Sequence, residues 1–558
     1  MTVVATAGHV DHGKSALVRA LTGTDPDRFA EEKARGLTLD LGFAFTTLPS
    51  GAEIAFVDVP GHARYLDNML AGVGAVRTCL FVVDAREGWR TQSEEHLRVL
   101  DLLGVNHGVV ALTKRDLVDA DTLAAVADDV ARRVDSSSLA ASRTVPVDSL
   151  SGAGLDELRQ ALDDLVRTAP AAIDRARPRL WVDRSFSARG AGAVVTGTLT
   201  GGTLGVGDTV AVIPGDRAVR VRGLQRHGVA VDAAAAGTRV AVNLAGIEHR
   251  QIERGHALVF AGQWAPTREF DASLTVMASL DHDMSRRGAF RLHVGSGMWP
   301  VTVRALRGTS LAPGVTGAVR VHAPVTLPLV PGDRYVLRDS GRSETVGGGE
   351  VLDIAPVLPA RLARPDRSVT RVVAERGWAD VDEVERLTGE RVAPTVGNWV
   401  VDPAVIAAAK VTGGFSEQRA NAKRPPTHLA AALRGMVAPL VVDEDVGGHP
   451  YLDALRSAPF APPPPHDVDR AALRRLREKG LAVERDGVWF ATEAVERAAG
   501  VVAGLVASAS EGVTVTEVRT ALGTTRKYAV PLLSHLDSIG VTRRRGDVRV
   551  AGPRMPRP

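Results

Sequence analysis

The first residues equipped for chemistry form a glycine-rich loop near the start of the chain. Residues 8–15 read Gly-His-Val-Asp-His-Gly-Lys-Ser, directly after a strand pattern and directly before a helical one. Loops of this form turn backbone N–H groups toward phosphates, and the dipole of the following helix favours negative charge. Lys14 can reach the β- and γ-phosphates, and the Ser15 hydroxyl can ligate Mg²⁺. The loop therefore predicts a nucleoside triphosphate site.

A second turn supplies a carboxylate and a glycine. Asp58 follows the strand predicted over residues 54–57, at the place where P-loop enzymes hold the carboxylate of their Mg²⁺ site. Gly61 lets its amide approach the γ-phosphate closely. An Asp-x-x-Gly sequence alone is usually an ordinary turn, but its spacing from the phosphate loop favours the functional interpretation.

A third turn, Thr-Lys-Arg-Asp at residues 113–116, predicts selection of the base. The Asp116 carboxylate can accept hydrogen bonds from N1–H and N2–H₂ of guanine, a donor pair that adenine lacks, and the Lys114 stem can stack on the ring. A missing donor at a buried acceptor costs orders of magnitude in affinity, so we expect GTP and GDP rather than ATP. The predicted nucleotide-binding residues are Asp11, His12, Gly13, Lys14, Ser15, Ala16, Gly61, Thr113, Lys114, Asp116, Ser149 and Leu150.

These turns require a sheet whose strand ends lie together. Buried strands are predicted over residues 2–6, 54–57, 78–83, 108–112 and 144–147, and amphipathic helices over 93–103 and 122–134. Alternation of strand and helix predicts a parallel sheet covered by helices on both faces.

The pattern of predicted strands and helices changes twice further along the chain. From about residue 176 to 356, short Val- and Thr-rich runs are broken by Gly-containing turns, which predicts two antiparallel β-barrels. Helices return after residue 359 and are interrupted by linker-like segments at 421–426 and 461–465. Residues 470–490 read as a helix followed by a hairpin with Asp486-Gly487 as its turn, and further winged helices are expected over 367–410 and around 429–442. The predicted fold class is multidomain: an α/β P-loop GTPase domain (1–172), a first barrel (173–265), a second barrel (266–356) and tandem winged-helix units (357–558).

Composition limits the class of protein. Of 558 residues, 45% are hydrophobic and 24% charged, enough for several ordinary cores. No run approaches the ~20 apolar residues that span a bilayer, and the chain begins with a strand pattern rather than a basic leader, so we expect no membrane partner. The single cysteine, Cys79, excludes an intramolecular disulfide and fits a cytoplasmic protein.

The motifs and their order resemble those of translational GTPases. The resemblance rests on residues 8–15, Arg-Gly-Leu-Thr-Leu at 35–39, residues 58–62 and residues 113–116. It implies that Thr38 contacts Mg²⁺ and the γ-phosphate in the GTP state. It also implies that His62 is catalytic and positions the attacking water on the ribosome, behind an apolar gate of Val10 and Leu37. The predicted metal-site residues are therefore Ser15, Thr38 and Asp58.

Two positions depart from that family pattern. The guanine motif usually begins with Asn, and Thr113 stands there instead, so we expect weaker tethering of the loop. The last guanine loop falls at residues 147–150, where many relatives have Ser-Ala-Leu. His9 and His12, three residues apart within a phosphate turn, are not expected to be zinc ligands.

The tail predicts a nucleic-acid-binding module. Residues 518–522 and 525–538 read as helix-turn-helix with Thr524 or Thr525 as N-cap, and residues 540–550 read as a hairpin. Residues 524–558 hold eight Lys and Arg against two Asp, an excess of six where the whole chain has +3. A solvated basic hairpin in an arginine-rich chain is the alternative. The predicted RNA-binding residues are Arg526, Lys527, Tyr528, Arg543, Arg544, Arg545 and Arg549.

A GTPase with two barrels and tandem winged helices resembles the bacterial selenocysteine-specific elongation factors. Residues 525–533, 540–544, 338–339 and 345–349 carry this resemblance. It implies three partners: selenocysteyl-tRNA, the ribosome at in-frame UGA codons, and an mRNA selenocysteine-insertion hairpin bound by the tail. It also implies a monomer whose selenocysteine pocket contains Asp183, Arg184 and Arg239, although ordinary barrel-edge charge would give the same residue types.

Two other functions fit the residues. One is a general elongation or initiation GTPase whose tail contacts ribosomal RNA. The other is a nucleic-acid-binding regulator in which GTP acts as a timer without aminoacyl cargo.

Overall fold

The computed structural model describes residues 2–27, 38–188, 192–412, 449–465, 468–509 and 511–556. The chain divides into two compact units. The first comprises residues 1–206, 210–259 and 266–351, and the second comprises residues 352–558 with the short segments 207–209 and 260–265.

The first unit begins with a six-stranded sheet. Its strands are β1 (Thr2–Ala7), β2 (Gly42–Thr47), β3 (Glu53–Asp58), β4 (Thr78–Asp84), β5 (His107–Thr113) and β6 (Arg143–Pro146). The order is β2-β3-β1-β4-β5-β6, and all neighbours pair in parallel except β2 and β3. The prediction of a parallel sheet is therefore correct for five strands. The antiparallel edge strand β2 was missed, because its apolar run is only three residues long, at 43–45, and Phe45 within it is exposed.

Helices cover both faces of this sheet, as predicted. They are α1 (Lys14–Thr22), α2 (Leu66–Val73), α3 (Thr91–Leu103), α4 (Ala120–Asp135) and α5 (Leu155–Thr168). Alternate residues of a strand point to opposite faces. Accordingly, Val3 and Ala5 belong to one buried apolar cluster with α2, α3 and α4, and Val4 belongs to another with α1 and α5. The functional turns lie at the carboxyl ends of the strands between these two cores.

A first barrel follows. Its strands are β7 (Arg179–Ala188), β8 (Gly192–Thr200), β9 (Leu204–Gly205), β10 (Thr209–Ile213), β11 (Arg217–Arg226), β12 (Val229–Val231), β13 (Ala233–Ala234), β14 (Arg239–Ala245) and β15 (Ala257–Phe260). The main sheet runs β10-β15-β7-β8-β14-β11-β12, and an additional pairing between β10 and β11 closes it. Closure leaves few exposed edges, as expected for a barrel.

A second antiparallel sheet completes the first unit. Its elements are β16 (Thr267–Val276), β17 (Met284–Ser285), β18 (Phe290–Val294), β19 (Gly297–Pro300), β20 (Thr302–Ala305), β21 (Ser310–Leu311), β22 (Thr316–Leu327), β23 (Arg334–Asp339) and β24 (Glu344–Asp353). Seven of them form one sheet in the order β19-β18-β23-β24-β16-β22-β20. A partly buried pair of hydrogen bonds from Arg179 to Asp333, at 2.6 and 2.7 Å, connects β7 to this sheet.

The second unit begins with a small helical module. It contains α6 (Val369–Arg376), β25 (Trp378–Asp380), α7 (Val381–Thr388), β26 (Trp399–Val401) and α8 (Pro403–Thr412). The two strands pair antiparallel but flank α7. The winged helix predicted over residues 367–410 therefore differs from the usual order, in which both strands follow the helices. The segments predicted at 421–426 and 429–442 lie outside the described residues.

Two helix-then-hairpin modules follow. The first has α9 (Pro450–Ser457), α10 (Arg470–Glu478), β27 (Ala482–Arg485) and β28 (Val488–Ala491), and α11 (Thr492–Ser508) continues from it. The second has β29 (Val513–Thr514), α12 (Val515–Ala521), α13 (Arg526–Ser538), β30 (Thr542–Arg545) and β31 (Val548–Ala551). The Asp486-Gly487 turn has positive φ at both residues, the conformation of tight hairpins. The predicted helix-turn-helix and basic hairpin are both present.

The predicted cap of α13 is only half right. Thr525 occupies the N-cap position, but its side chain makes no capping hydrogen bond. The Thr524 hydroxyl instead donates to the Phe460 carbonyl. Pro531 lies inside α13 beyond its first turn, where it removes one backbone donor. Among the described helices, none combines the length and apolar character needed to cross a bilayer.

The predicted domain boundaries remain predictions. Residue 172 falls between α5 and β7, residue 265 between β15 and β16, and residue 356 between β24 and α6. Each boundary therefore lies in a connection rather than inside an element.

Candidate functional site

The glycine-rich loop joins β1 to α1 in a strained backbone path. Gly8, Asp11 and Gly13 all have positive φ. A Cβ on Gly8 would lie 2.1 Å from the Val82 carbonyl oxygen, so only glycine fits there. The Gly8 N–H donates to His96 Nδ1 at 3.1 Å. Because Leu17 N–H makes the first helical bond, to Gly13, the amides before it are directed toward the mouth of the loop.

Lys14 is buried within the loop. Its Nζ donates to the carbonyl oxygens of Gly8 at 3.0 Å and His9 at 2.7 Å. Burial lowers the pKa of Lys14 to about 8, against the raising effect of Asp58. A phosphate group at this position would stabilise the ammonium form, so nucleotide binding and the charge of Lys14 are linked.

The three residues predicted to hold Mg²⁺ lie together. The Ser15 hydroxyl donates to Asp58 Oδ2 at 2.7 Å and lies 2.9 Å from the Thr38 hydroxyl. Asp58 is fully buried and also accepts a hydrogen bond from Thr6 at 2.7 Å. Hydroxyl and carboxylate oxygens are the donors that Mg²⁺ prefers, so these residues fit the ion chemically.

Asp27 is a further member of this cluster that sequence reasoning missed. Its Oδ1 accepts a hydrogen bond from the Thr38 hydroxyl at 2.9 Å. No motif in the sequence marks Asp27, which lies eleven residues before Thr38.

Gly61 and His62 occupy different environments. A Cβ on Gly61 would lie 2.3 Å from Lys14 Nζ and 2.6 Å from the Val10 nitrogen, so this glycine packs directly on the phosphate loop. His62 is exposed, and its Nδ1 accepts a hydrogen bond from the Arg64 N–H at 3.1 Å. Val10 is half-buried beside the loop, and Leu37, the other predicted gate residue, lies outside the described residues.

Thr113 reaches the phosphate loop directly. Its hydroxyl donates to the His12 carbonyl at 2.7 Å, with the Val83 carbonyl at 3.2 Å. The buried hydroxyl therefore bridges β5 to the phosphate loop. Weaker tethering than an asparagine would give stays a prediction.

The guanine turn is positioned by ion pairing. Lys114 Nζ donates to Asp84 Oδ2 at 2.6 Å and to the Asp11 carbonyl at 2.8 Å. Asp84, at the end of β4, was not singled out from the sequence. Asp116 is exposed.

The last predicted guanine loop adjoins this turn. The Arg115 N–H donates to the Val147 carbonyl at 3.3 Å, which holds the two turns side by side. Asp148 accepts hydrogen bonds from the N–H groups of Ser151 and Leu150. Hydrogen bonding from the Ser151 side chain, and then from the Ser151 N–H, lowers the pKa of Asp148. Ser149 is half-buried and Leu150 is 94% exposed.

The predicted selenocysteine-pocket residues also lie together. Asp183 Oδ1 accepts a hydrogen bond from Arg239 Nη2 at 2.9 Å and another from the Thr196 hydroxyl at 2.5 Å. The guanidinium groups of Arg239 and Arg184 lie 3.4 and 4.3 Å from the centre of the Phe43 ring. Two cations therefore share one aromatic ring. The Asp183 carboxylate pairs with Arg239, and the Asp40 carboxylate interacts electrostatically with Arg184.

Phe43 and Arg254 connect this pocket to the nucleotide site, and neither was predicted. Phe43 belongs to the missed strand β2. Arg254 donates to Asp40 at 2.6 Å, to the Asn68 side chain at 2.9 Å and to the Asp183 carbonyl at 3.0 Å. Burial alone would raise the pKa of Asp40, but the hydrogen bond and charge of Arg254 outweigh it and lower the pKa. One guanidinium thus touches the segment after Thr38, the segment after His62, and the pocket.

In the second unit, three of the seven predicted RNA-binding residues are exposed, three are half-buried and one is buried. Arg526, Lys527 and Arg544 are exposed, whereas Tyr528 is half-buried with Lys527 Nζ 5.3 Å from its ring centre. Arg543 and Arg545 lie partly buried on β30. These side chains belong to the second helix and the hairpin of one winged helix.

The structure contradicts the prediction that Arg549 is an RNA-contacting residue. Arg549 is buried, and its Nε donates to Asp537 Oδ2 at 3.2 Å. Residues alternate along β31, so Arg549 faces α13 and forms part of the core of the module. Composition could not separate this structural arginine from its exposed neighbours.

Comparison with known proteins defines the class. The model of the elongation factor Tu GTP binding domain matches residues 1–170, and that of elongation factor Tu domain 2 matches residues 192–259. Elongation factor Tu 2 of Streptomyces avermitilis is 32% identical over 385 residues, with 63% of this chain and 96% of the relative covered. The chain belongs to the elongation factor Tu family of translational GTPases.

Within this class, the predicted resemblance to bacterial selenocysteine-specific elongation factors is confirmed. The selenocysteine-specific elongation factor of Desulfomicrobium baculatum is 40% identical over 353 residues, or 63% of this chain and 55% of the relative. The chain thus spans about half the length of this curated relative. The model "Elongation factor SelB, winged helix" matches residues 505–551.

The fold extends this likeness. A crystal structure of a bacterial selenocysteine-specific elongation factor, EF-Sec, matches with a TM-score of 0.65 at 24% identity and covers 99% of both chains. This match shows the fold alone. It covers 99% of this chain, whereas the alignments with the Desulfomicrobium baculatum and Streptomyces avermitilis relatives each cover 63% of it.

The buried lysine predicts a pH dependence of nucleotide affinity. Nucleotide phosphates raise the pKa of Lys14 on binding, so affinity for GDP should be constant below pH 8 and fall as pH rises through about 8. By pH 9 the affinity should be up to about tenfold lower than at pH 7, since one pH unit corresponds to a factor of ten. Isothermal titration calorimetry in two buffers of different ionisation enthalpy measures the affinity for GDP and the number of protons taken up on binding.

The same calorimetry should show proton uptake on binding near pH 8.5 and none near pH 6.5. Lys14→Arg, which stays charged throughout, is the matched control and should flatten the profile. An affinity that is constant from pH 7 to 9, without proton uptake, would contradict this linkage.

Proposed function

We propose that the protein is a GTP-dependent carrier that captures selenocysteyl-tRNA and delivers it to the ribosome at in-frame UGA codons. In this proposal it acts as a cytoplasmic monomer, and its C-terminal winged helix tethers it to a selenocysteine-insertion hairpin in the mRNA. The observation that carries the proposal is the cluster of Asp183, Arg184 and Arg239 on the barrel, joined through Arg254 to the nucleotide site. The names of the relatives support the same conclusion.

The chemistry of the cargo explains the pocket. A selenol is far more acidic than an alcohol, so selenocysteine is an anion at neutral pH and its precursor serine is neutral. Arg184 and Arg239 supply charge-assisted donors, and Phe43 shields them from water on one side. Screening weakens where water is excluded, so a cationic pocket discriminates by charge. Asp183 orients Arg239 and prevents the two cations from repelling each other unopposed.

The nucleotide controls the pocket through a short chain of contacts. Ser15, Thr38 and Asp58 would hold Mg²⁺, which neutralises charge on the β- and γ-phosphates when bound. Thr38 lies two residues before Asp40, which Arg254 binds at 2.6 Å. Arg254 also binds the Asp183 backbone. Ordering of Thr38 by the γ-phosphate therefore favours the arrangement in which Arg254 binds both Asp40 and the pocket. Loss of that phosphate removes this preference and loosens the pocket.

Hydrolysis is assigned to His62. In the structure its exposed side chain is free of the packed core, and it follows Gly61, which touches the phosphate loop. We propose that the ribosome brings His62 past the apolar gate of Val10 and Leu37 to position the attacking water. Hydrolysis is slow before that step.

A general aminoacyl-tRNA carrier is the second candidate. The 32% identity with elongation factor Tu 2, across 96% of that relative, favours it. A carrier of this kind would bind many aminoacyl-tRNAs with similar affinity, whereas the cationic pocket predicts selection of an anionic side chain. A GTP-timed regulator without cargo would bind none of them.

The selectivity of the pocket tests the proposal. In filter-binding measurements with GTP, selenocysteyl-tRNA should bind much more tightly than seryl-tRNA charged on the same tRNA. Arg239→Ala should reduce this gap about tenfold or more, because a charge-assisted hydrogen bond contributes about 1.5–3 kcal/mol. Arg220→Ala, an exposed arginine on β11 of the same barrel, is the matched control and should leave the gap unchanged. Equal binding of both tRNAs would support the general carrier. If neither tRNA bound, the result would support the regulator.

The proposed role of His62 has a separate test. His62→Ala should leave GTP affinity within about twofold, because the side chain is exposed and bonds only locally. Ribosome-stimulated hydrolysis should fall by ~100-fold or more, the usual contribution of a group that positions a proton acceptor. Single-turnover GTP hydrolysis with ribosomes measures this, and His322→Ala, an exposed histidine on β22, is the control. Hydrolysis at the native rate would show that another residue positions the water.

The tail predicts salt-dependent binding of RNA. The double variant Arg526→Ala/Lys527→Ala should bind RNA stem–loops from downstream of in-frame UGA codons about three- to tenfold more weakly. The slope of log affinity against log salt concentration should also be smaller by about 1 for each phosphate that is no longer neutralised. Arg497→Ala, exposed on α11, is the control. Fluorescence anisotropy with the full chain at several salt concentrations measures both quantities. An unchanged affinity and slope would place RNA binding elsewhere.

A further inference from the structure

A second group of metal-ligating side chains lies on the edge of the phosphate loop. Among the residues that the structure describes, His9, His12 and Glu87 offer one ligand atom each, and these atoms all lie within 4.8 Å of one another. His12 Nε2 is 4.0 Å from Glu87 Oε2. The rings of His9 and His12 are 4.9 Å apart and inclined at 64°. His12 belongs to the predicted nucleotide-binding loop through its backbone, but neither the proposed GTP site nor the cationic pocket uses the two imidazole rings or the Glu87 carboxylate.

His12 is poised as a ligand by its surroundings. The side chain is completely buried, and its Nδ1 lies 3.4 Å from the Val82 carbonyl oxygen. A proton on Nδ1, directed at that carbonyl, leaves the Nε2 lone pair facing His9 and Glu87. In proteins, metal-bound histidines commonly use their second ring nitrogen in this way.

Two buried ring nitrogens in the cluster form no hydrogen bond within the described part of the chain. They are His12 Nε2 and His9 Nδ1. An unsatisfied buried polar atom costs about 1–3 kcal/mol, so it calls for a ligand or another compensating role. Burial lowers the pKa of both histidines, that of His12 to about 4, and so keeps each ring neutral, the form that binds metal.

Glu87 contributes the negative charge. Arg86 and Arg90 lie 3.6 and 3.4 Å from its carboxylate oxygens and hold it at the loop. Donor atoms around a tetrahedral ion are about 3.3 Å apart, so a shift of less than about 1 Å would bring Glu87 to binding distance of the His12 position.

We propose that His9, His12 and Glu87 bind a divalent transition metal ion of the zinc class at the edge of the phosphate loop. Two imidazoles and one carboxylate suit zinc and its cobalt substitute, whereas Mg²⁺ prefers an all-oxygen set such as Ser15, Thr38 and Asp58. The two ions therefore select different sites in one domain.

Binding at this site would restrain the phosphate loop. The His9 carbonyl accepts a hydrogen bond from Lys14, and the His12 carbonyl accepts one from Thr113. A metal ion joining His9 and His12 to Glu87, in the turn after β4, would hold both carbonyls in place. Release of bound GDP requires this loop to move, so the ion should slow nucleotide release.

This proposal departs from the sequence-based expectation that His9 and His12 are not zinc ligands. His9 and His12 alone have a poor spacing for zinc within a phosphate turn. The third ligand, Glu87, comes from a distant turn, and only the fold brings it to the loop.

The test uses the full-length chain with Mg²⁺ present and Co²⁺ as the probe. One Co²⁺ per chain should bind with micromolar or tighter affinity and give the visible absorption of a four- or five-coordinate ion. His12→Ala and Glu87→Gln should each weaken binding at least tenfold. His107→Ala, a half-buried histidine at the start of β5, is the matched control and should bind like the native chain. Zn²⁺ should displace the cobalt signal and slow the release of a fluorescent GDP several-fold.

Two results would overturn the proposal. One is the absence of Co²⁺ binding at 100-fold excess metal over ~1 μM protein, and the other is equal binding by the native chain and Glu87→Gln. Glu87→Gln keeps the size of the side chain, and its circular dichroism and GDP binding establish that it is folded. A loss of cobalt binding in that variant therefore reports the missing carboxylate rather than an unfolded chain.

Discussion

The buried carboxylate of Asp58 is the contact on which the nucleotide site depends. It lies at the end of β3 and accepts hydrogen bonds from Thr6 on β1 and Ser15 on α1, while Ser15 also contacts Thr38. A buried charge is costly unless it is fully hydrogen-bonded, so this carboxylate requires those hydroxyl groups at fixed positions. The requirement joins the sheet, the phosphate loop and Thr38 into one arrangement.

From that arrangement, a single guanidinium extends the connection to the barrel. Arg254 binds Asp40, Asn68 and the Asp183 carbonyl. Long-range coupling needs an element that contacts both sites, and three hydrogen bonds from one planar group meet this need with little freedom. Under the proposed function, GTP in the nucleotide site stabilises the cationic pocket, because the same Arg254 contacts connect the two sites.

Arginine has three distinct roles in this chain. Arg179 and Arg549 are buried in ion pairs that join elements, to Asp333 and Asp537 respectively. Arg239 is held by Asp183 over an aromatic ring, which suits recognition of a small anion. Arg544 is exposed on a hairpin, which suits phosphate contacts. Composition gives all of these the same charge, and burial and partners separate their functions.

The sequence by itself determined the features that depend on neighbouring residues. They are the phosphate loop and its helix, the strands rich in apolar residues, the Asp486-Gly487 hairpin and the order of domains, because backbone conformation and periodicity follow from local residue types. The tertiary structure alone decided which distant side chains meet. Asp27, Phe43, Glu87 and Arg254 have no motif, and the burial of Arg549 and the unused Thr525 cap depend on what packs against them. Contacts between residues far apart in the chain are set by packing, which local patterns do not encode.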